Sequence, residues 1–98
     1  MADVFCFLGA VSRCEGQFVY GQFIRSDGRV VGELAMPRSA FNITPPAATV
    51  IIARATMSDA TPTDEFRFKF RAATLEEVKF LDRVEMAEAM NWIRGAQI

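Results

Sequence analysis

The chain has 98 residues, 51% of them hydrophobic, with eleven Lys and Arg against twelve Asp and Glu and no histidine. That length suits one domain, and the apolar share is enough for a core without disulfide or metal staples. A formal charge of −1 argues against a nucleic-acid partner, whose binding draws on an excess of Lys and Arg over phosphates, and against attachment to acidic membrane by bulk charge.

Catalysis and metal binding lack their usual side chains. Without histidine the common general base is missing, the carboxylates are scattered, and the glycines lie singly rather than in a phosphate-cradling loop. Cys6 and Cys14 cannot complete a four-ligand zinc site without other donors. The expectation is a non-enzymatic, cytoplasmic chain with two reduced thiols, no metal and no cofactor. Val4 to Val11 is apolar but too short to span a bilayer, and no basic segment precedes it as in a signal peptide. Ala2 stands where a myristoylation signal needs Gly, and the sequon Asn42-Ile43-Thr44 is expected to go unused in a chain without a secretory signal.

In chain order, Val4 to Val11 reads as a strand apolar on both faces, hence an internal one. Ser12 to Gly16 is a turn, and Phe18 to Ile24 the second strand. Asp27-Gly28 predicts a hairpin, because both residues tolerate positive φ, leading into a third strand from Arg29 to Met36 that Pro37 stops. Pro37 to Ala48 shows no period and is the longest loop. Thr49 to Met57 is a β-branched strand, and Ser58 to Asp64 a polar turn.

The stretch from Asp64 to Gln97 carries the clearest pattern. Phe66, Phe68 and Phe70 alternate with Arg67, Lys69 and Arg71, a period of two that puts rings on one face and charges on the other. After a break at Ala72 to Leu75, Val78, Phe80 and Val84 alternate with Lys79, Leu81 and Arg83 as a further strand. A helix from about Arg83 to Arg94 follows, with Asp82 and Glu85 as its capping box and Met86, Ala89, Met90, Ile93 and Ala96 on one arc. A rival start at Thr74 with Glu77 would make one helix of over twenty residues. It ranks second, because the arc of Val78, Leu81 and Val84 is turned about half a turn from that of Met86 to Ile93, and no single helix buries both. The expected architecture is mainly β: six to seven antiparallel strands in a sandwich or partly open barrel, capped at one opening by the C-terminal helix. Phe66, Phe68, Phe70 and Trp92 are expected to be largely buried.

Phe66-x-Phe68-x-Phe70, then Phe80-Leu81, then Glu88, Trp92, Ile93 and Gln97 resemble the end of a pleckstrin homology (PH) domain. That family closes with an aromatic-rich strand, a strand ending in aromatic-Leu, and a helix bearing a Trp. The resemblance is close over about a third of the chain and implies a PH-like fold; the EVH1 and Ran-binding variants fit the long-helix alternative. It also implies where a phosphoinositide site would lie, at the end of the first strand and the start of the second. There Gln17 to Phe23 carries no positive charge, and only Arg13 is near.

The candidate binding residues are therefore Arg67, Lys69 and Arg71, a short basic ladder on one strand face, and Arg13 at the loop. The plain reading of the ladder is a solvated face paired with Glu76 or Glu77; the sharp one is a docked acidic peptide or phosphate. The expected function is non-catalytic protein–protein binding, as an adaptor or a subunit of a larger assembly, with the partner another protein or a second copy of the chain. Phosphoinositide head-group binding is the alternative.

Overall fold

A computed structural model describes residues 2–58 and 66–98, with side chains described for 4–56 and 69–98. These residues form five strands, β1 (Ala2–Glu15), β2 (Phe18–Arg25), β3 (Val30–Pro37), β4 (Val50–Ser58) and β5 (Phe66–Ala72), a 3-10 turn at Arg38–Ala40, and two helices, α1 (Leu75–Arg83) and α2 (Met86–Gly95). The strands pair antiparallel in one open sheet of order β3-β2-β1-β4-β5. The chain is mainly β, with five described strands where the sequence predicts six to seven.

The doubly apolar β1 is the central strand, flanked by β2 and β4. Its side chains feed two clusters, because successive residues point to opposite faces. Phe5, Phe7 and Val11 join Val19, Phe23, Met36, Ile51, Ala53 and Ala55 on one face. Cys6 and Leu8 join Ala89, Met90 and Ile93 of α2 on the other. The register with β2 slips between Val11 and Arg13, so Cys14 returns to the first face while Arg13 pairs with Tyr20. The connection from β3 to β4 closes that first face. It carries Phe41 into the cluster, sets the 3-10 turn against β5, and is held by Cys14 Sγ on the Pro45 carbonyl at 3.5 Å.

Phe23 can lie against this face because Gly9, directly opposite it, has no side chain. A Cβ on Gly9 would sit 2.3 Å from the Gln22 carbonyl oxygen and 2.6 Å from the Phe23 ring. At the hairpin, Gly28 takes φ 89°. Asp27 does not share the positive φ expected of both; its carboxylate instead accepts from the Arg29 N–H at 3.0 Å and from the Arg25 guanidinium.

The largest correction falls on residues 75 to 84, which form α1 and not a strand. Val78, Phe80 and Val84 satisfy a period of two, but Thr74 and Glu77 complete the capping box of the rival start: the Glu77 N–H donates to Thr74 Oγ1 at 3.2 Å and the Thr74 N–H to Glu77 Oε1 at 2.8 Å. Asp82 lies inside α1, and Glu85, the N-cap of α2, makes no side-chain cap bond. The continuous helix does not form either. The two apolar arcs cannot face the sheet together, so the chain breaks at extended Val84 and Glu85 and each helix turns its own arc inward. Phe80-Leu81, which the PH resemblance places at a strand end, is therefore helical. Nor does α2 plug an opening, since its Ala89, Met90 and Ile93 lie against the sheet face of Cys6, Leu8 and Ile24.

Trp92 is half-buried, 5.7 Å centroid to centroid from Phe80, and Phe70 is likewise half-buried. The side chains of Phe66 and Phe68 lie outside the described residues.

Candidate binding surface

Two regions bear on recognition: the basic face of β4 and β5, and the outer edge of β3. On the first, Lys69 stands opposite Arg54, and Arg54 opposite Cys6, so Lys69 and Arg71 share the face on which α2 packs. An α-helix ends in carbonyls without intrahelical donors and in a partial negative charge. Arg54 Nη2 donates to the carbonyls of Arg94 at 3.2 Å and Ala96 at 2.6 Å, and Arg71 Nε to that of Gln97 at 2.6 Å. Arg94 donates in turn to the Ser26 carbonyl at 3.0 Å, tying the end of α2 to the β2–β3 hairpin.

Arg71 also forks onto Glu77, with Nη1 to Oε1 at 2.6 Å and Nη2 to Oε2 at 2.9 Å. One guanidinium thus joins β5, α1 and the tail after α2, geometry that favours the charged forms of both partners. The hydrogen bonds from Arg71 hold the Glu77 carboxyl at about 2, below the usual range, and Glu77 raises Arg71. Because the folded value is depressed, the stabilisation is complete above the ordinary carboxylate pKa of about 4.3 and is lost as pH falls toward the folded one. Acid unfolding of the wild type should show a loss on the order of 2 kcal/mol between about pH 4.5 and 2 that Glu77→Gln lacks. Superimposable pH profiles would show the pair to be energetically idle.

Of the predicted site residues, Arg71 is thus occupied by the chain itself, and its partner is one of the two glutamates named from sequence, on a helix rather than a neighbouring strand. Lys69 is exposed, and the Arg67 side chain lies outside the described residues. Arg13 is not brought to them. It lies two strands and about five residues away from Arg71, on the order of 20 Å. There it donates to Glu15 at 3.0 Å and Glu33 at 2.7 Å and stacks 4.2 Å from the Tyr20 ring centroid. Both carboxylates push its pKa up, Glu33 the more. Such an Arg, at the surface and already paired, has little left for an anion.

The β3 edge contributes none of the candidate binding residues named from sequence. The Arg38 N–H donates to the Gln17 carbonyl at 2.9 Å, across the Phe18–Pro37 pair. In an antiparallel ladder this marks Phe18–Pro37 as a pair whose own backbone groups point away from each other. Alternation then turns Glu33, Ala35 and Pro37 outward and Leu34 and Met36 toward β2. Pro37 extends the strand without loss because its missing N–H faces outward, and a proline at that position was the available signal of an edge. Val30 (78% exposed) and Val31 (38%) lie at the hairpin end of the same strand.

Elsewhere, a depression of about 560 Å³ is lined by Glu76, Lys79, Asp82 and Arg83, charges of both signs along one side of α1. Among the described residues no group of three His, Cys, Asp or Glu could hold a metal ion, and no helix is long and apolar enough to cross a membrane. Cys6 and Cys14 are free and eight residues apart on one strand, about 26 Å, too far for a disulfide within the chain. Compared with family models, curated proteins and solved structures, the chain matches none.

Proposed function

We propose that this chain is a non-catalytic interaction module that binds another protein, as an adaptor or a subunit of a larger assembly, through the outer edge of β3. The observation that carries this reading is the outer edge of β3, whose strand pairs with β2 alone and presents outward backbone groups. Backbone addition of a strand needs only such an edge. A head-group site, by contrast, needs several converging cations, and the described candidates are spent on internal bonds or stand far apart.

Kinship with PH-like modules belongs to the same proposal. Antiparallel strands followed by a closing helix with Trp92 favour it; five described strands and a helical Phe80-Leu81 count against a complete match. The test is affinity capture from native extract with the immobilised chain beside an Ala35→Pro variant. Ala35→Pro leaves the β2 ladder intact, because the N–H it removes faces outward, so its thermal unfolding should stay within a few degrees of wild type. A protein retained by the wild type and lost by this variant is the expected result. Retention of no protein by the folded wild type would overturn the reading.

A further inference from the structure

The partner's chemistry can be taken one step further, on the premise that the module binds protein. We infer that the β3 edge receives an extended segment of the partner as a sixth strand, with an acidic side chain near each end to meet Arg29 and Arg38. These arginines flank β3, both are exposed, and neither side chain makes an ion pair among the described residues. They stand nine positions apart, about 30 Å of extended chain, so the matching segment is eight to ten residues long.

The middle of the edge does not oppose this. Glu33, its one acidic residue, is neutralised by Arg13 at 2.7 Å. Asp27, the nearest carboxylate to Arg29 in the hairpin, is engaged by the Arg25 guanidinium and the Arg29 backbone N–H. At one end Val30 and Val31 offer apolar contact.

The hydrogen-bonding offer is restricted. Only Glu33 and Ala35 present both an N–H and a C=O outward within the regular part, because Pro37 has no N–H and the strand is irregular around Gly32, where φ is 92°. Such devices blunt an edge against indiscriminate pairing. With few backbone bonds available, the end charges must supply discrimination, and the surface is screened at moderate salt. The same charges disfavour a second copy of this chain. Antiparallel self-pairing centred on Leu34 sets Arg29 opposite Ser39 of the other copy, beside its Arg38, so like charges meet at both ends.

The test is an amide-resolved NMR titration of the full chain with two blocked nine-residue peptides of alternating Thr and Val, one ending in Asp at both ends and the other in Lys. The Asp-ended peptide should shift the Glu33 and Ala35 amides saturably and slow their exchange. The Lys-ended peptide should bind at least ten-fold more weakly, and the double variant Arg29→Glu with Arg38→Glu should reverse the preference. Ala35→Pro should abolish binding while keeping the fold. Equal affinity for the two peptides, no saturation by the Asp-ended one, shifts confined to other surfaces, or a concentration-dependent dimer through β3 would overturn the inference. A cellular protein captured equally by wild type and Ala35→Pro would remove this edge while leaving a protein-binding module, which separates the two failures.

Discussion

Gly9→Ala is expected to destabilise the protein by about 3 kcal/mol, far more than one methyl group ordinarily does, because the strand and the ring above it have nowhere to move. The added carbon would meet the Gln22 carbonyl, part of the β1–β2 ladder, as well as the Phe23 ring. Phe23 in turn rests beside Gly21 and Met36, so the ring cannot swing aside without disturbing the cluster formed with Val19 and Met36. Gly95→Ala is the internal comparison. Nothing lies within 4 Å of its added carbon, and at the end of α2 it should stabilise by about 0.5 kcal/mol through reduced freedom of the unfolded chain. Urea unfolding of both variants checks the pair, and equal midpoints would refute the packing described around Gly9.

Ile93→Ala should cost about 2–5 kcal/mol, the range for truncating a fully buried aliphatic side chain. Ile93 is wholly buried in the cluster that fastens α2 to β1, with Met90 and Cys6 among its neighbours. Trp92→Ala should cost less, about 2 kcal/mol, because its ring is half-buried between the helices and keeps contact with water. The sequence expectation of a largely buried Trp92 would put that cost higher, at about 3 to 5 kcal/mol. Thermal unfolding decides it, since each kcal/mol moves the midpoint of a domain this size by about 4–8 °C. A larger shift for Trp92→Ala would mean that the helix–helix contact outweighs the helix–sheet one.

What the sequence could say depended on whether a pattern had one physical reading. The alternation of Phe66 to Arg71 fits only a strand, and β5 is there. Apolar residues on both faces of Val4 to Val11 required an internal strand, and β1 is central, though it runs longer than the pattern because its ends pair with different neighbours. Val78 to Val84 fits two periods, and the helical one goes with the capping box that Thr74 and Glu77 complete. The mismatch of apolar arcs was a sound reason to reject one long helix; a two-residue break resolves it as well as a strand does, and costs no cap. The ladder illustrates a different limit. Arg71 was legible as a cation, but its use was not, because the carbonyl it engages arrives 26 residues later in the chain, and those engaged by the neighbouring Arg54 arrive 40 and 42 residues later.

The account turns on Arg54 and Arg71 serving the chain's own architecture, so that recognition falls to the edge of the sheet. Titration of the full chain with phosphoinositide-containing vesicles near physiological salt tests this most directly. The account predicts no saturable binding above that to neutral vesicles. Micromolar, head-group-selective binding that Arg13→Ala or Lys69→Ala abolishes would contradict it.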